Sequence, residues 1–157
     1  MQVTPEKPQN LEGTAGNGSR WFTTTHKARN LGMPDAKLHS TIDITTGRCL
    51  HISMFLLQDR NAEFNALIAL GKRFGPPDVL TTDARELQGT LALTNGQWGN
   101  VAEVVYFGGA AGEISVSACF RKFADFLNCP QYKPELPLPE LNHLFEDWRH
   151  RYNETLG

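Results

Sequence analysis

The chain has 157 residues, 40% hydrophobic and 20% charged, the proportions of a soluble globular protein long enough to bury one core. Fifteen Lys+Arg against 17 Asp+Glu give a net charge of −2, which argues against a general electrostatic grip on nucleic acid or an anionic membrane. No apolar run reaches the roughly 18–20 residues of a membrane span, the start MQVTPEKPQN lacks the apolar stretch of a secretory signal, and three cysteines without a CxxC pair suit a reducing cytoplasm better than a disulfide framework.

Residues 1–19 are rich in Pro, Gly, Asn, Gln and Thr, with Val3 and Leu11 as the sizeable aliphatics. Such a segment buries too little surface to offset its ordering entropy, which predicts a flexible amino-terminal arm followed by a single domain over residues 20–157. Arg20-Trp21-Phe22 is the first anchor, and residues 23–35 read as irregular. A hairpin comes next. Leu38, Ser40, Ile42 and Ile44 alternate with His39, Thr41 and Asp43, and beyond Gly47 the residues Leu50, Ile52, Met54 and Leu56 alternate with Cys49, His51, Ser53 and Phe55. A two-residue loop would pair Ile42 with His51 and mix the faces. A three-residue loop (Thr45, Thr46, Gly47) pairs Ile42 with Leu50, Ser40 with Ile52 and Leu38 with Met54, and sets Gly47 at the left-handed position.

Phe64, Leu67, Ile68, Gly71 and Phe74 follow helical spacing, with Asp59 or Asn61 available as cap and Gly75-Pro76-Pro77 as the stop. Residues 78–82 make a short strand. A meander follows: residues 87–94, the hairpin signal Asn95-Gly96, and residues 97–107. After a loose loop at 108–112, Ile114, Val116, Ala118 and Phe120 alternate as in a strand, and Phe120, Phe123, Ala124 and Leu127 then take helical spacing. Proline-rich residues 129–139 read as extended. The last helix, 139–153, places Leu141, Leu144, Phe145, Trp148 and Tyr152 on one face. The expected architecture is α+β: a two-layer domain with a mostly antiparallel sheet of about 5–6 strands in ββαββββαα order, helices packed on one face. Strand–helix alternation and a glycine-rich phosphate loop are both missing, so a nucleotide-binding α/β fold is excluded.

The hairpin register sets Asp43 opposite Cys49, Thr41 opposite His51 and His39 opposite Ser53, on the side away from the aliphatics. A carboxylate orienting a histidine beside a thiol is the layout of an activated nucleophile, and the same donors suit a metal ion. Catalytic candidates are therefore Asp43, His51 and Cys49, and His39, Thr41 and Ser53 are candidate ligand-binding groups. The bland alternative is a water-washed sheet face, where such residues are common. Trp98 and Trp148, among the aromatics of the second half, are candidate walls of a small-molecule cup, against the alternative that they are ordinary core.

The segments TIDITTGRCLHISMFLL and RFGPPDVLTTDARE, separated by an amphipathic helix, with the closing ELNHLFEDWRHRYNE, resemble a retroviral-integrase-like transposase core. The resemblance implies an Asp on the first strand and another after a later core strand, holding divalent metal for phosphodiester chemistry. Carried over, Asp43 and Asp83 form the metal pair, with Glu140 as third carboxylate. The run EVVYFGGAAGEISVSACFRKFADFLN is similar to the strand–loop–strand–helix tail of SUKH-type immunity proteins, which implies toxin binding.

No specific motif supports catalysis. The leading expectation is a small cytoplasmic, non-catalytic binding or interaction module with no cofactor and no membrane association. Its partner is a protein or a small ligand, or the chain itself through a sheet edge or the last helix. The alternatives are the metal-dependent transposase-type enzyme, which alone calls for nucleic acid, and the aromatic-lined cup.

Overall fold

The segment Arg20–Lys27, RWFTTTHK, has three consecutive threonines behind two aromatics. β-branched and aromatic side chains suit a pleated backbone, and this segment is the central strand, β1, of the computed structural model, which describes residues 20–31, 33–82, 103–106, 114–130 and 132–156. The expectation of irregular chain here is corrected. Its polarity is tolerated because both flanks are strands and the Thr23 and Thr24 hydroxyls are bonded internally. One turn of 3-10 helix (Ala28–Leu31) leads to β2 (Ala36–Asp43) and β3 (Cys49–Leu56), then helix α1 (Ala62–Phe74), β4 (Val79–Thr82), β5 (Glu103–Tyr106), α2 (Ile114–Leu127) and α3 (Leu138–Thr155). The amino-terminal arm, the Asn95-Gly96 turn, Trp98 and the loop at 108–112 lie outside the described residues.

The sheet runs β3-β2-β1-β4-β5. β1, β2 and β3 pair antiparallel, whereas β4 pairs parallel with β1 and β5 parallel with β4. The fold is thus α+β with a mixed sheet, which corrects the mostly antiparallel expectation. The parallel step follows from α1, which returns the chain to the same end of the sheet before β4 begins.

Helices cover both faces, not one. Successive strand residues point to opposite sides, and Trp21 and Phe22 of β1 divide accordingly. Phe22, Ile42, Cys49, Ile52 and Met54 pack with Cys119, Phe123 and Phe126 of α2 and Leu141, Phe145, Trp148 and Tyr152 of α3. Trp21, Leu50 and Leu80 pack with Leu67, Leu70 and Phe74 of α1. Edge-on aromatic pairs fill the first layer, Phe123 to Phe145 at 5.3 Å and Phe123 to Trp148 at 5.0 Å between ring centres. Leu144 sits on the flank of this layer, partly buried. Leu144→Ala is therefore expected to cost about 2 kcal/mol, at the low end for such truncations, as read from urea unfolding.

Two boundaries follow the sequence closely. Gly75, at φ 82°, ends α1 in a backbone region that glycine enters without a side-chain clash. Gly47, at φ 79°, occupies the left-handed position of the β2–β3 turn as expected. Residues 114–120, expected to be a strand, belong to α2. The deciding set is Cys119, Phe123 and Phe126 at i, i+4 and i+7, which meets α3, whereas the alternating Ser and Ala residues fit either period. The strand–loop–strand–helix similarity to immunity proteins accordingly loses its second strand.

The hairpin register holds for Leu38↔Met54, His39↔Ser53, Ser40↔Ile52 and Thr41↔His51, then shifts to Ile42↔Cys49. Leu50 is the extra residue of a bulge, which swings it onto the α1 side, away from Ile42. The expected Ile42–Leu50 and Asp43–Cys49 pairs are not formed.

Candidate functional site

The polar side of the hairpin is not washed by water; α1 covers it. His39 and Thr41 are fully buried and Asp43 and Ser53 nearly so, while His51 is partly covered. Thr23, fully buried in β1, is the hub. Its Oγ1 lies 2.7 Å from His39 Nε2 and 3.0 Å from Thr41 Oγ1, and it is 3.2 Å from the Ser40 carbonyl. His51 Nε2 and Ser53 Oγ share a 2.6 Å hydrogen bond. The two imidazoles lie 5.2 Å apart, and each stacks on Phe55 at 6.2 Å. At the strand end Lys37 Nζ meets Glu63 Oε1 at 2.6 Å and donates to the Asp59 carbonyl at 2.7 Å, tying β2 to the start of α1.

Burial sets the electrostatics of this layer. Loss of solvent, and then the nearby His51 and Lys37 charges, hold His39 well below the usual imidazole range. Burial likewise lowers His51 to about 4, with Arg149 and Arg73 acting in the same direction and Glu146 against them. Both rings are neutral at pH 7. The Nδ1 atom of His39 has no hydrogen-bond partner among the described residues. Thr23→Val keeps the shape of the hub but strands His39 Nε2 and Thr41 Oγ1, and should cost about 2 kcal/mol in urea unfolding.

The structure brings His39, Thr41, His51 and Ser53 together, but not with Asp43 or Cys49. The Asp43 carboxylate accepts the backbone N–H groups of Thr45 (2.9 Å) and Thr46 (3.4 Å), fastening the hairpin turn. Cys49 points to the opposite face, among α2 and α3. Asp83 and Trp98 lie outside the described residues. Trp148 packs between Phe123 and Tyr152 in the core. Among the described residues no three His, Cys, Asp or Glu side chains are grouped to hold a metal ion. No helix among them is long and apolar enough to cross a membrane.

Two features were not anticipated. A cleft of about 420 Å³ opens where α1, β3 and α3 meet, lined by Leu50 and Phe74, by Arg48, Arg149 and His150, and by Glu154. That volume falls within the range of small-ligand sites. Arg149 is buried there, with Nε and Nη2 on the Glu146 carboxylate at 2.9 and 2.6 Å and Nη1 donating to the Cys49 carbonyl at 3.1 Å. The Arg149 hydrogen bond holds Glu146 below the usual carboxylate range. The sequence signal was the basic run Arg149-His150-Arg151 beside an aromatic helix face.

The second feature seals the β3 edge. Asn153 Oδ1 accepts the Cys49 N–H at 2.8 Å while its Nδ2 donates to the Cys49 carbonyl at 2.9 Å. Asn142 does the same at Met54, at 2.6 and 2.9 Å. Each amide imitates the strand that would otherwise pair there. The spacing matches: 11 helical residues rise about 16.5 Å in about three turns, and five strand residues advance about the same distance. Residues 49 and 54 differ by an odd number, so a regular strand could not turn both backbones outward. The Leu50 bulge supplies the phase shift.

Compared with known proteins, the sequence matches no family model and no curated protein.

Proposed function

We propose that the chain is a non-catalytic binding module of the cytoplasm that takes a partner at the cleft between α1, β3 and α3. The observation that carries this reading is the commitment of the hairpin's candidates for chemistry to the fold itself: Asp43 to the turn, His39 and His51 to the layer beneath α1, Cys49 to the opposite core. The cleft remains, with preorganised Arg149 and the exposed Arg48 and His150 side chains beside an apolar pair. That chemistry suits a carboxylate on a small acid or on an acidic protein side chain. Three free cysteines support a reducing compartment.

A second reading, the transposase-type enzyme, has one specific observation in its favour. With β1 counted, three strands precede α1, and β4 then ends at Thr82, immediately before Asp83. Against it, the first strand is β1, which has no Asp or Glu, and Asp43 belongs to β2.

One experiment separates the two readings. The full chain, incubated with linear duplex DNA and Mg2+ or Mn2+, is expected to yield no cleaved or joined product, and neither ion should move its melting temperature. Metal-dependent cleavage that disappears in Asp83→Asn would overturn the binding-module reading. The cleft is tested separately by a thermal-shift panel of small carboxylic acids. Hits should raise the melting temperature, an effect weakened in Arg48→Glu; hits that stabilise both chains equally would remove the cleft from the account.

A further inference from the structure

The polar side chains that line the cleft between α1, β3 and α3 divide into those already spent and those still free. Arg149 is spent on the Glu146 carboxylate and the Cys49 carbonyl. His150 Nε2 lies 3.2 Å from Oε1 of the same carboxylate. The Asn153 amide is committed to the Cys49 backbone at 2.8 and 2.9 Å. Arg48 and Glu154 are left. Both are exposed, both line the cleft, and neither side chain has an ion-pair or hydrogen-bond partner among the described residues.

The placement of these two charges follows from the sealing of the β3 edge. Arg48 precedes Cys49 and Glu154 follows Asn153, so the Asn153–Cys49 clamp raises a cation and a carboxylate from adjoining backbones. Opposite charges so close at a surface can pair with each other, for little gain. Here they form no such pair, and both border a cleft of about 420 Å³ that also presents Leu50 and Phe74.

We propose that the cleft is a site for a free α-amino acid with an apolar side chain, an inference that rests on the binding reading above and narrows it. Arg48 receives the ligand's carboxylate, Glu154 receives its ammonium group, and Leu50 and Phe74 meet its side chain. A plain carboxylic acid would satisfy Arg48 but set an anion beside Glu154, a repulsion that an ammonium group turns into attraction. An α-amino acid carries both charges on one carbon, which matches a cation and a carboxylate rising from neighbouring backbones.

The test is calorimetric titration of the full chain at neutral pH with L-leucine, N-acetyl-L-leucine and L-leucinamide. Acetylation removes the ammonium charge, and the amide removes the carboxylate. Leucine should bind, and each blocked form should bind at least about tenfold more weakly, the loss of one charge-assisted hydrogen bond. Glu154→Gln should bring leucine down to the level of N-acetyl-L-leucine, and Arg48→Gln should bring it down to that of L-leucinamide. Both positions are exposed, so the unliganded variants should melt as the parent does. N-acetyl-L-leucine bound as tightly as leucine would overturn the inference and leave the carboxylate reading of the cleft standing. No response to any of the three would overturn it as well, and the panel of small carboxylic acids then decides the broader reading. Leucine held equally by the parent and both variants would place the amino acid outside the cleft and overturn it too.

Discussion

Replacing both Asn142 and Asn153 with leucine should lower the unfolding free energy by about 4 kcal/mol, measured in urea at neutral pH. Each amide closes two backbone groups on β3 that no described strand reaches. Leucine offers similar bulk and no hydrogen bond, so the Met54 N–H and carbonyl and the Cys49 N–H become stranded at about 1–3 kcal/mol apiece. The Cys49 carbonyl keeps Arg149, which makes Asn153→Leu the milder single change. The two sites are about three helical turns apart and should add. Asn153→Asp retains the acceptor for the Cys49 N–H and should recover part of the loss. Stranding the edge also invites strand pairing between chains, so the double variant should self-associate on concentration where the parent does not. A double variant as stable as the parent would mean that the amides decorate the edge without closing it.

Acidification should destabilise the chain well before its carboxylates titrate in bulk. His39 and His51 are both lowered in the folded state from the free imidazole value of 6.5. Below that value the unfolded chain takes up protons that the folded chain refuses, so stability is full above about pH 6.5 and declines as pH falls, levelling only beneath the folded value. For His51, with a folded value of about 4, the full shift corresponds to about 3 kcal/mol. Its partial exposure trims this to about 2 kcal/mol, and His39 adds a loss of the same sign. A double variant, His39→Gln with His51→Gln, should have a flatter profile between pH 6.5 and 4, though lower stability throughout because the Thr23 hub is disturbed. An unchanged slope would place these rings in contact with solvent.

Much of the outline was legible in the sequence. The hairpin, its Gly47 turn, α1 with its glycine stop, β4 and α3 all carry strong local signals: alternation, 3.6-residue periodicity, and glycine or proline at the ends. β1 was missed because Thr23, Thr24 and Thr25 read as polar; a hydroxyl that finds partners across the sheet is as good an interior group as an aliphatic one. The two-sided cover was missed for the same reason. His39, Thr41 and Ser53 alternate with aliphatics as on a half-wet sheet, and nothing in single residues announces that α1 will lie over them. Phe55 on that face, and the Lys37–Glu63 pair reaching between β2 and α1, were the available hints. The bulge at Leu50 is a one-residue event that parity cannot foresee, yet it decides that Cys49 joins the α2–α3 core and leaves Asp43 without a thiol opposite. Asn142 and Asn153 carry no local signal of their role, which emerges only once the 11-residue spacing is laid against β3.

The account turns on whether the polar hairpin face is interior structure or open chemistry. Carbon-detected NMR titration of the imidazole rings from pH 8 to 4 in the full chain measures this directly. Neutral rings throughout most of that range are predicted, with His51 beginning to charge only toward pH 4 and His39 holding its neutral form below the free imidazole midpoint. Midpoints near 6.5 for both rings would contradict the account, because a solvated histidine pair beside Thr41 and Ser53 would again be free to act on a substrate.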